Sequence, residues 1–178
     1  MKIFAETDRI LLREIVVEDA AAMFEMDADP EVHRYLGNSP IESIDEAVAN
    51  ILFIRKQYEE LGIGRWAIVE KESGAFVGWG GMKFRTDEVN GYQNYYDVGY
   101  RLLRRHWGKG YATESAKASV DYGFSRMEMQ SIYAMAHVEN LGSINALQKT
   151  GLKITGQVEH EGILCHWFEI SKQDWLKR

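Results

Sequence analysis

Between residues 95 and 124 the chain passes from a β-prone segment through a basic, glycine-containing turn straight into a helix. This junction limits the fold more than any other feature. Residues 95–102 read as a strand, 104–110 as the turn and about 112–124 as a helix, and 131–136 read as the next strand. A strand, a crossover helix and a second strand in one sheet make a parallel pair. The turn Gly108–Lys109–Gly110 has glycines where positive φ costs least. It also sets several backbone N–H groups at a helix start, where donors and dipole together favour an anion. Arg101, Arg104, Arg105 and Lys109 add four positive charges within nine residues. The segment predicts a cradle for a phosphate or pyrophosphate.

The rest of the chain is ordinary by comparison. Its 178 residues, 46% hydrophobic and 27% charged, suit one globular domain, and only two prolines argue against disorder. A strand at 10–13 precedes a helix at 17–26, which Asp29–Pro30 stops; Pro30 also suits a new first helical turn. A loop at 35–40 leads to a strong helix from Ser43 to Leu61. Ser43 and Glu46 form its capping box and Gly62 sits at its end. Ala47, Ile51, Ile54 and Tyr58 share one face of it. Strands follow at 66–69 and 76–79 with a turn at 71–74, then a polar loop at 85–94. Beyond the crossover come a helix at 143–150 and strands near 155–159 and 165–170. No repeat or linker divides the chain, so residues 1–178 are expected to form one α+β domain. Its central sheet is mixed and mostly antiparallel, with flanking helices.

Charge and cysteine count exclude several classes. Lys+Arg 21 against Asp+Glu 27 gives a net −6, which disfavours nucleic acid as a partner. One cysteine, Cys165, leaves no internal disulfide and no Cys-rich metal site. His33, His106, His160 and His166 show no metal-ligand spacing, so no metal is expected. The start of the chain has no apolar signal region and no run approaches a membrane span, so a cytoplasmic protein is expected, without membrane contact.

Three phosphate-binding designs compete for the turn. A P-loop needs glycine where Leu103 stands and Ser or Thr where Gly110 stands. A dinucleotide fingerprint needs a third glycine where Thr113 stands. The third design fits: Arg105–x–x–Gly108–x–Gly110–Tyr111–Ala112 resembles the acyl-CoA motif of the GNAT (GCN5-related N-acetyltransferase) superfamily. Val98–Gly99–Tyr100 and the run from Trp107 to Glu114 are similar to its RimJ/RimL-like branch. So are the opening Thr7–Asp8–Arg9–Ile10–Leu11–Leu12–Arg13 and the pair Asn140–x–x–Ser143 followed by Lys149–Thr150–Gly151–Leu152.

The resemblance implies a GNAT-type fold whose parallel strands, 95–102 and 131–136, splay to admit acetyl-CoA as cosubstrate. Backbone groups near Leu102 would pair with the pantetheine arm. The turn Arg105, His106, Trp107, Gly108, Lys109 and Gly110 would hold the pyrophosphate, Tyr111 and Ala112 complete the cofactor-binding motif, and Thr113 would add a hydroxyl contact. Asn140 matches a position that touches the cofactor, and Ser143 would cap the next helix. The implied reaction is direct attack of an amine on the thioester. Asp97 then becomes the candidate base and Ser143 a candidate acid. The usual acid, a tyrosine, is replaced by Leu147; Ser143, Tyr133 or a tyrosine among residues 92–100 could substitute, or the thiolate, with an ordinary thiol pKa of about 8.5, could leave unassisted.

Asp97 could equally pair with Arg101 or Arg104, the arginines could form a solvated run, and His137 could be a base or a structural histidine. Trp66, Trp79 and Trp107 read as packing residues and Cys165 as a small core residue. In this superfamily the acceptor is implied to meet residues 29–45 and 85–95. Acids there (Asp29, Glu31, Glu42, Asp45, Asp87, Glu88) and aromatics (Tyr35, Tyr92, Tyr95, Tyr96) suit a cationic amine such as a protein N-terminus, a polyamine or an amino-sugar, or simply a solvated loop. The expectation is an acetyltransferase. A non-catalytic acyl-CoA-binding or sensing module and a domain that binds no acyl-CoA are the alternatives. Dimers are common in this branch, which leaves a homodimer open.

Overall fold

The computed structural model describes all 178 residues. Eight strands form one sheet in the order β1-β2-β3-β4-β5-β6-β8-β7. In chain order they are β1 (Ile3–Glu6), β2 (Ile10–Glu14), β3 (Trp66–Glu70), β4 (Phe76–Arg85), β5 (Tyr95–Leu102), β6 (Ser131–His137), β7 (Lys153–His160) and β8 (Ile163–Ser171). Six helices flank it: α1 (Ala20–Asp27), α2 (Pro30–His33), α3 (Ile44–Leu61), α4 (Tyr111–Arg126), α5 (Leu141–Lys149) and α6 (Lys172–Leu176). Every strand pair is antiparallel except β5 with β6, the two joined by crossover helix α4. The architecture is the mixed, mostly antiparallel sheet with one parallel pair that the sequence predicts. No helix is long and apolar enough to cross a membrane.

Local signals account for most of these elements. Ser43 accepts from the Glu46 N–H while the Glu46 carboxylate accepts from the Ser43 N–H, and Gly62, at φ 69, closes α3 in the left-handed region. Asp29 caps α2 with Pro30 in its first turn. The expected helix at 17–26 is a short 3-10 turn, Val17–Asp19, followed by α1. Strand β4 runs six residues past the expected end at 79, through Gly80 and Gly81. The pairing explains it: Gly81 lies so close to the Trp66 ring that a Cβ there would come within 2.7 Å of it.

Alternation along the strands sorts the core to the two sheet faces. Trp66, Ile68, Met82, Val98 and Leu102 pack with Tyr111, Ala116, Val120 and Phe124 of α4. Ala67 and Leu103 join Met23 and Met26 of α1 and Ala47 and Ile51 of α3 on the opposite face. Burying this much aliphatic and aromatic side chain, at about 1.5–3 kcal/mol each, is what holds the helices against the sheet.

Between β5 and β6 the only registered pair is Asp97 with Tyr133. Beyond it, toward Leu102 and His137, the two strands part. The site lies in that opening.

Candidate active site

The parting strands frame a cleft of about 590 Å³. Val98–Leu102 form one wall, Met135–His137 the other, and α5 contributes Ser143 and Leu147. One end leads to the glycine turn. The other lies between the segment after α2 (Tyr35, Leu36) and the tip of the β7–β8 hairpin (His160, Glu161, Ile163).

At the first end, a 3-10 turn at Arg104–His106 ends the strand and delivers the chain to Gly108 (φ 73) and Gly110 (φ 85). From Gly108 to Thr113 the six consecutive backbone N–H groups find no acceptor within the chain. These are the free donors of α4 and of the turn feeding it, gathered at the positive end of a sixteen-residue helix. His106, 8% exposed, lines the cleft beside them with both ring nitrogens unpartnered. Burial, with Lys109 and Arg105 nearby, pushes its imidazole below its ordinary value. An anion with several acceptor oxygens fits this arrangement.

The turn is braced from beneath. Arg9, in the link between β1 and β2, donates to the Lys109 carbonyl (2.9 Å) and to the Glu114 carboxylate (2.7 Å), and Thr7 donates to the same carboxylate (2.5 Å). Burial works to raise the Glu114 carboxyl, but the bonds from Thr7 and Arg9 outweigh it and hold it below the usual range. Arg9 also lies 4.8 Å over the Tyr111 ring, and the Tyr111 hydroxyl donates to Glu70.

The basic run does not form the cradle. Arg101 pairs with Asp27 (2.7 Å), Arg104 with Asp29 (3.1 Å) and Arg105 with Glu25, so acids of the α1–α2 region neutralise three of the four charges. Lys109 alone makes no ion pair, and Arg105, Lys109 and Thr113 contribute no wall to the cleft. Leu102, His106, Trp107, Gly108, Gly110, Tyr111, Ala112 and Asn140 do line it. Trp107 is 45% exposed, and its indole N–H donates to the Leu102 carbonyl (3.0 Å), so it is no buried packing residue like Trp66.

Asp97 is also placed differently from expectation. Its carboxylate takes two bonds from Arg65 Nη2 (3.0 and 3.1 Å), not from Arg101 or Arg104. With side chains 9% and 11% exposed, the pair is buried and Asp97 does not line the cleft; Arg65 does. A carboxylate so engaged is not positioned as a base. Arg65 also reaches the carbonyls of Gly81 and Asp97 and lies over the Trp79 ring, which ties β3, β4 and β5 together.

The α5 side corrects another expectation. Asn140, not Ser143, caps the helix: its side-chain oxygen accepts the Ser143 N–H (3.2 Å). The Ser143 hydroxyl is left to meet the Tyr100 hydroxyl at 3.1 Å, and the Tyr100 hydroxyl donates to the Ser143 carbonyl (3.0 Å). Tyr133 lies outside the cleft, in a cluster with Tyr92, Tyr95 and Trp167.

Of the acceptor-side residues, Glu31 and Tyr35 line the cleft. Asp29 is spent on Arg104 and Asp87 on Arg85, and Tyr92 and Tyr95 belong to the aromatic cluster. His137 packs against Tyr35 at 5.1 Å, and its Nδ1 accepts the Glu139 N–H (3.0 Å). That bond and the ring contact occupy His137 in local structure. Sequence reasoning missed Arg65, Arg85 and the hairpin tip. Only the tip had a local signal: Glu161–Gly162, both at positive φ, form a two-residue turn.

Comparison with known proteins agrees with this geometry. Residues 9–153 match the acetyltransferase (GNAT) domain family. The uncharacterized N-acetyltransferase p20 of Bacillus licheniformis is 34% identical over 151 residues, covering 82% of this chain and 83% of that protein. A GNAT-family acetyltransferase from Bacillus anthracis superposes with a TM-score of 0.78 at 20% identity, over 97% of this chain and 99% of that one. Spermidine N-acetyltransferase from Vibrio cholerae, solved with CoA and spermine, superposes with a TM-score of 0.74 at 17% identity, over 96% and 99%.

Proposed function

The chain belongs to the GNAT acetyltransferase family and is an acetyl-CoA-dependent acetyltransferase; on that premise we propose that it moves the acetyl group to a primary amine by direct attack in a ternary complex. The observation that carries the reading is the splay between β5 and β6, which opens onto the run of unpaired N–H groups from Gly108 into the first turn of α4, with Gly108, Gly110, Tyr111 and Ala112 lining the cleft. A cosubstrate with an extended arm and a pyrophosphate matches both halves of that cleft. We place residues 1–178 in one acyltransferase domain of the RimJ/RimL-like branch, supported by the Thr7–Arg13, Val98–Tyr100 and Asn140–Ser143 blocks.

In this reading the amides from Gly108 to Thr113 hold the pyrophosphate and the wall from Val98 to Leu102 takes the pantetheine arm. Lys109 supplies the one unpaired cation at the turn. Acetyl-CoA supplies the activated acyl group as a thioester. A β5 backbone N–H would stabilise charge on the thioester oxygen. Ser143 is the candidate donor toward the leaving sulfur. An amine arrives mostly protonated, at a pKa of about 8 for an α-amine and about 10.4 for a lysine-like one, so a proton must leave before attack. Asp97, bonded to Arg65, is better read as positioning that guanidinium than as the proton's destination.

The acceptor would enter between Tyr35 and the hairpin tip, where Glu31 and Glu161 offer negative charge and Leu36 and Ile163 an apolar surface. That combination suits a protein N-terminus, a polyamine or another small amine with an apolar body. The spermine bound to the Vibrio cholerae neighbour is one such compound. The experiment is thiol release from acetyl-CoA against a panel of peptides, polyamines and amino-sugars. Turnover with one class supports the reading. Tight acetyl-CoA binding with no turnover on any amine would return the non-catalytic module instead.

A further inference from the structure

Leu147, one helical turn beyond Ser143 on α5, lines the cleft without any proton to donate. The nearest polar residue along α5 that also lines the cleft is Ser143, and its hydroxyl is shared with a residue from another element. Tyr100 reaches across from β5 to the Ser143 carbonyl (3.0 Å) and hydroxyl (3.1 Å), and both side chains belong to residues that line the cleft.

Two arrangements keep the two hydroxyls bonded to each other. In one, the Tyr100 O–H donates to the carbonyl and the Ser143 O–H donates to the Tyr100 oxygen, so no proton faces the cleft. In the other, the Tyr100 O–H donates to the Ser143 oxygen and the Ser143 O–H is released to an acceptor in the cleft. An anionic acceptor there selects the second arrangement, because a hydrogen bond to an ion outweighs one between neutral groups.

We propose that Tyr100 is a positioning residue that turns the Ser143 hydroxyl into a hydrogen-bond donor for the departing thiolate, in the place Leu147 leaves without one. This rests on the transferase reading above. As the amine nitrogen bonds the acetyl carbon, the carbon–sulfur bond breaks and its electron pair stays on sulfur. The Ser143 O–H then turns to the sulfur and the Tyr100 O–H turns to Ser143. The proton that the ammonium loses before attack and the second that the nitrogen loses as the amide forms both pass to solvent, so the pair lends a hydrogen bond and gives up no proton. Burial supports this division of labour: it pushes the Tyr100 phenol up to about 12, against about 8.5 for an ordinary thiol. A proton would therefore stay on oxygen.

The test compares CoA with desulfo-CoA by titration calorimetry from pH 6.5 to 9.5, alongside steady-state kinetics. The wild-type protein is expected to prefer CoA increasingly as its thiol ionises, by about tenfold at the alkaline end. Tyr100→Phe and Ser143→Ala should each erase that preference, and the double variant should lose no more than either. Tyr100→Phe should lower kcat about tenfold with KM for acetyl-CoA within twofold. A Tyr100→Phe protein that keeps the pH-dependent preference, or single losses that multiply in the double variant, overturns the proposal. Should Tyr100→Phe fail to fold, 3,5-difluorotyrosine at that position preserves the ring and, once its more acidic phenol ionises, must lose the preference; retention overturns the proposal equally. Failure of wild-type protein to bind either compound would remove the transferase reading and this inference together. Binding of both with equal affinity at every pH removes the inference alone.

Discussion

Arg9 donates to the backbone carbonyl of Lys109 at 2.9 Å across one hundred positions of sequence. The same guanidinium holds Glu114, so the link between the first two strands fixes both the glycine turn and the first turn of α4. The Thr7–Arg9 block thus has a physical task, and the arginines nearest the turn have another.

Removing the brace should loosen the cradle without touching the chemistry. Arg9→Ala is expected to raise KM for acetyl-CoA about fivefold, equivalent to about 1 kcal/mol, with kcat nearly unchanged. Arg105→Ala, which breaks only the contact with Glu25, should raise it less than twofold. Steady-state kinetics would reverse the assignment if Arg105 proved the more sensitive position.

The two turn glycines should fail for different reasons. An alanine at Gly108 meets no atom within 4 Å, so its cost is the left-handed backbone alone, about 1–2 kcal/mol in a denaturant titration. At Gly110 a Cβ would also press on Arg9 at 3.3 Å, so Gly110→Ala should weaken CoA binding further than Gly108→Ala. Equal effects on binding would show that the Arg9 contact is immaterial.

Asp97→Asn separates a base from a brace. Removing one charge of the buried pair leaves Arg65 uncompensated, and about 3 kcal/mol of unfolding free energy should disappear. The shape of the kcat/KM pH profile should survive. A lost acidic limb with unchanged stability would restore Asp97 to proton transfer.

The stability curve should fall on the acid side. Burial pushes His33 and His106 below their usual 6.5; Arg101 adds to the effect at His33, Lys109 and Arg105 at His106. The folded state therefore binds fewer protons than the unfolded chain, and stability rises with pH across this range. Their contribution is complete above about pH 6.5 and is lost as pH falls through the lower folded values. Melting temperatures of wild type and a His33→Gln, His106→Gln double variant should differ in slope between pH 7 and 5. Parallel curves would exclude both histidines.

What could be read in advance was local. Ser43, Glu46 and Gly62 mark both ends of α3 through contacts a few residues long, and the strand–glycine–helix junction declares itself within sixteen positions. Partners distant in sequence could not be read: Arg101 could have met Asp97, but three-dimensional packing gives it Asp27, 74 positions away, and gives Asp97 to Arg65. Asn140 and Ser143 are both good caps three residues apart, so composition alone could not choose between them. The backbone puts Asn140 at the helix boundary and leaves Ser143 its hydroxyl.

The single registered pair at Asp97 and Tyr133 makes the sheet two antiparallel ribbons stitched at one point. Each ribbon therefore carries an unpaired edge in the interior of the molecule, the kind of edge that elsewhere invites another chain to add a strand. Here α4, α5 and the segment after α2 wall it off, so that only a narrow extended guest can reach it. A binding groove and a protection against aggregation are the same piece of architecture.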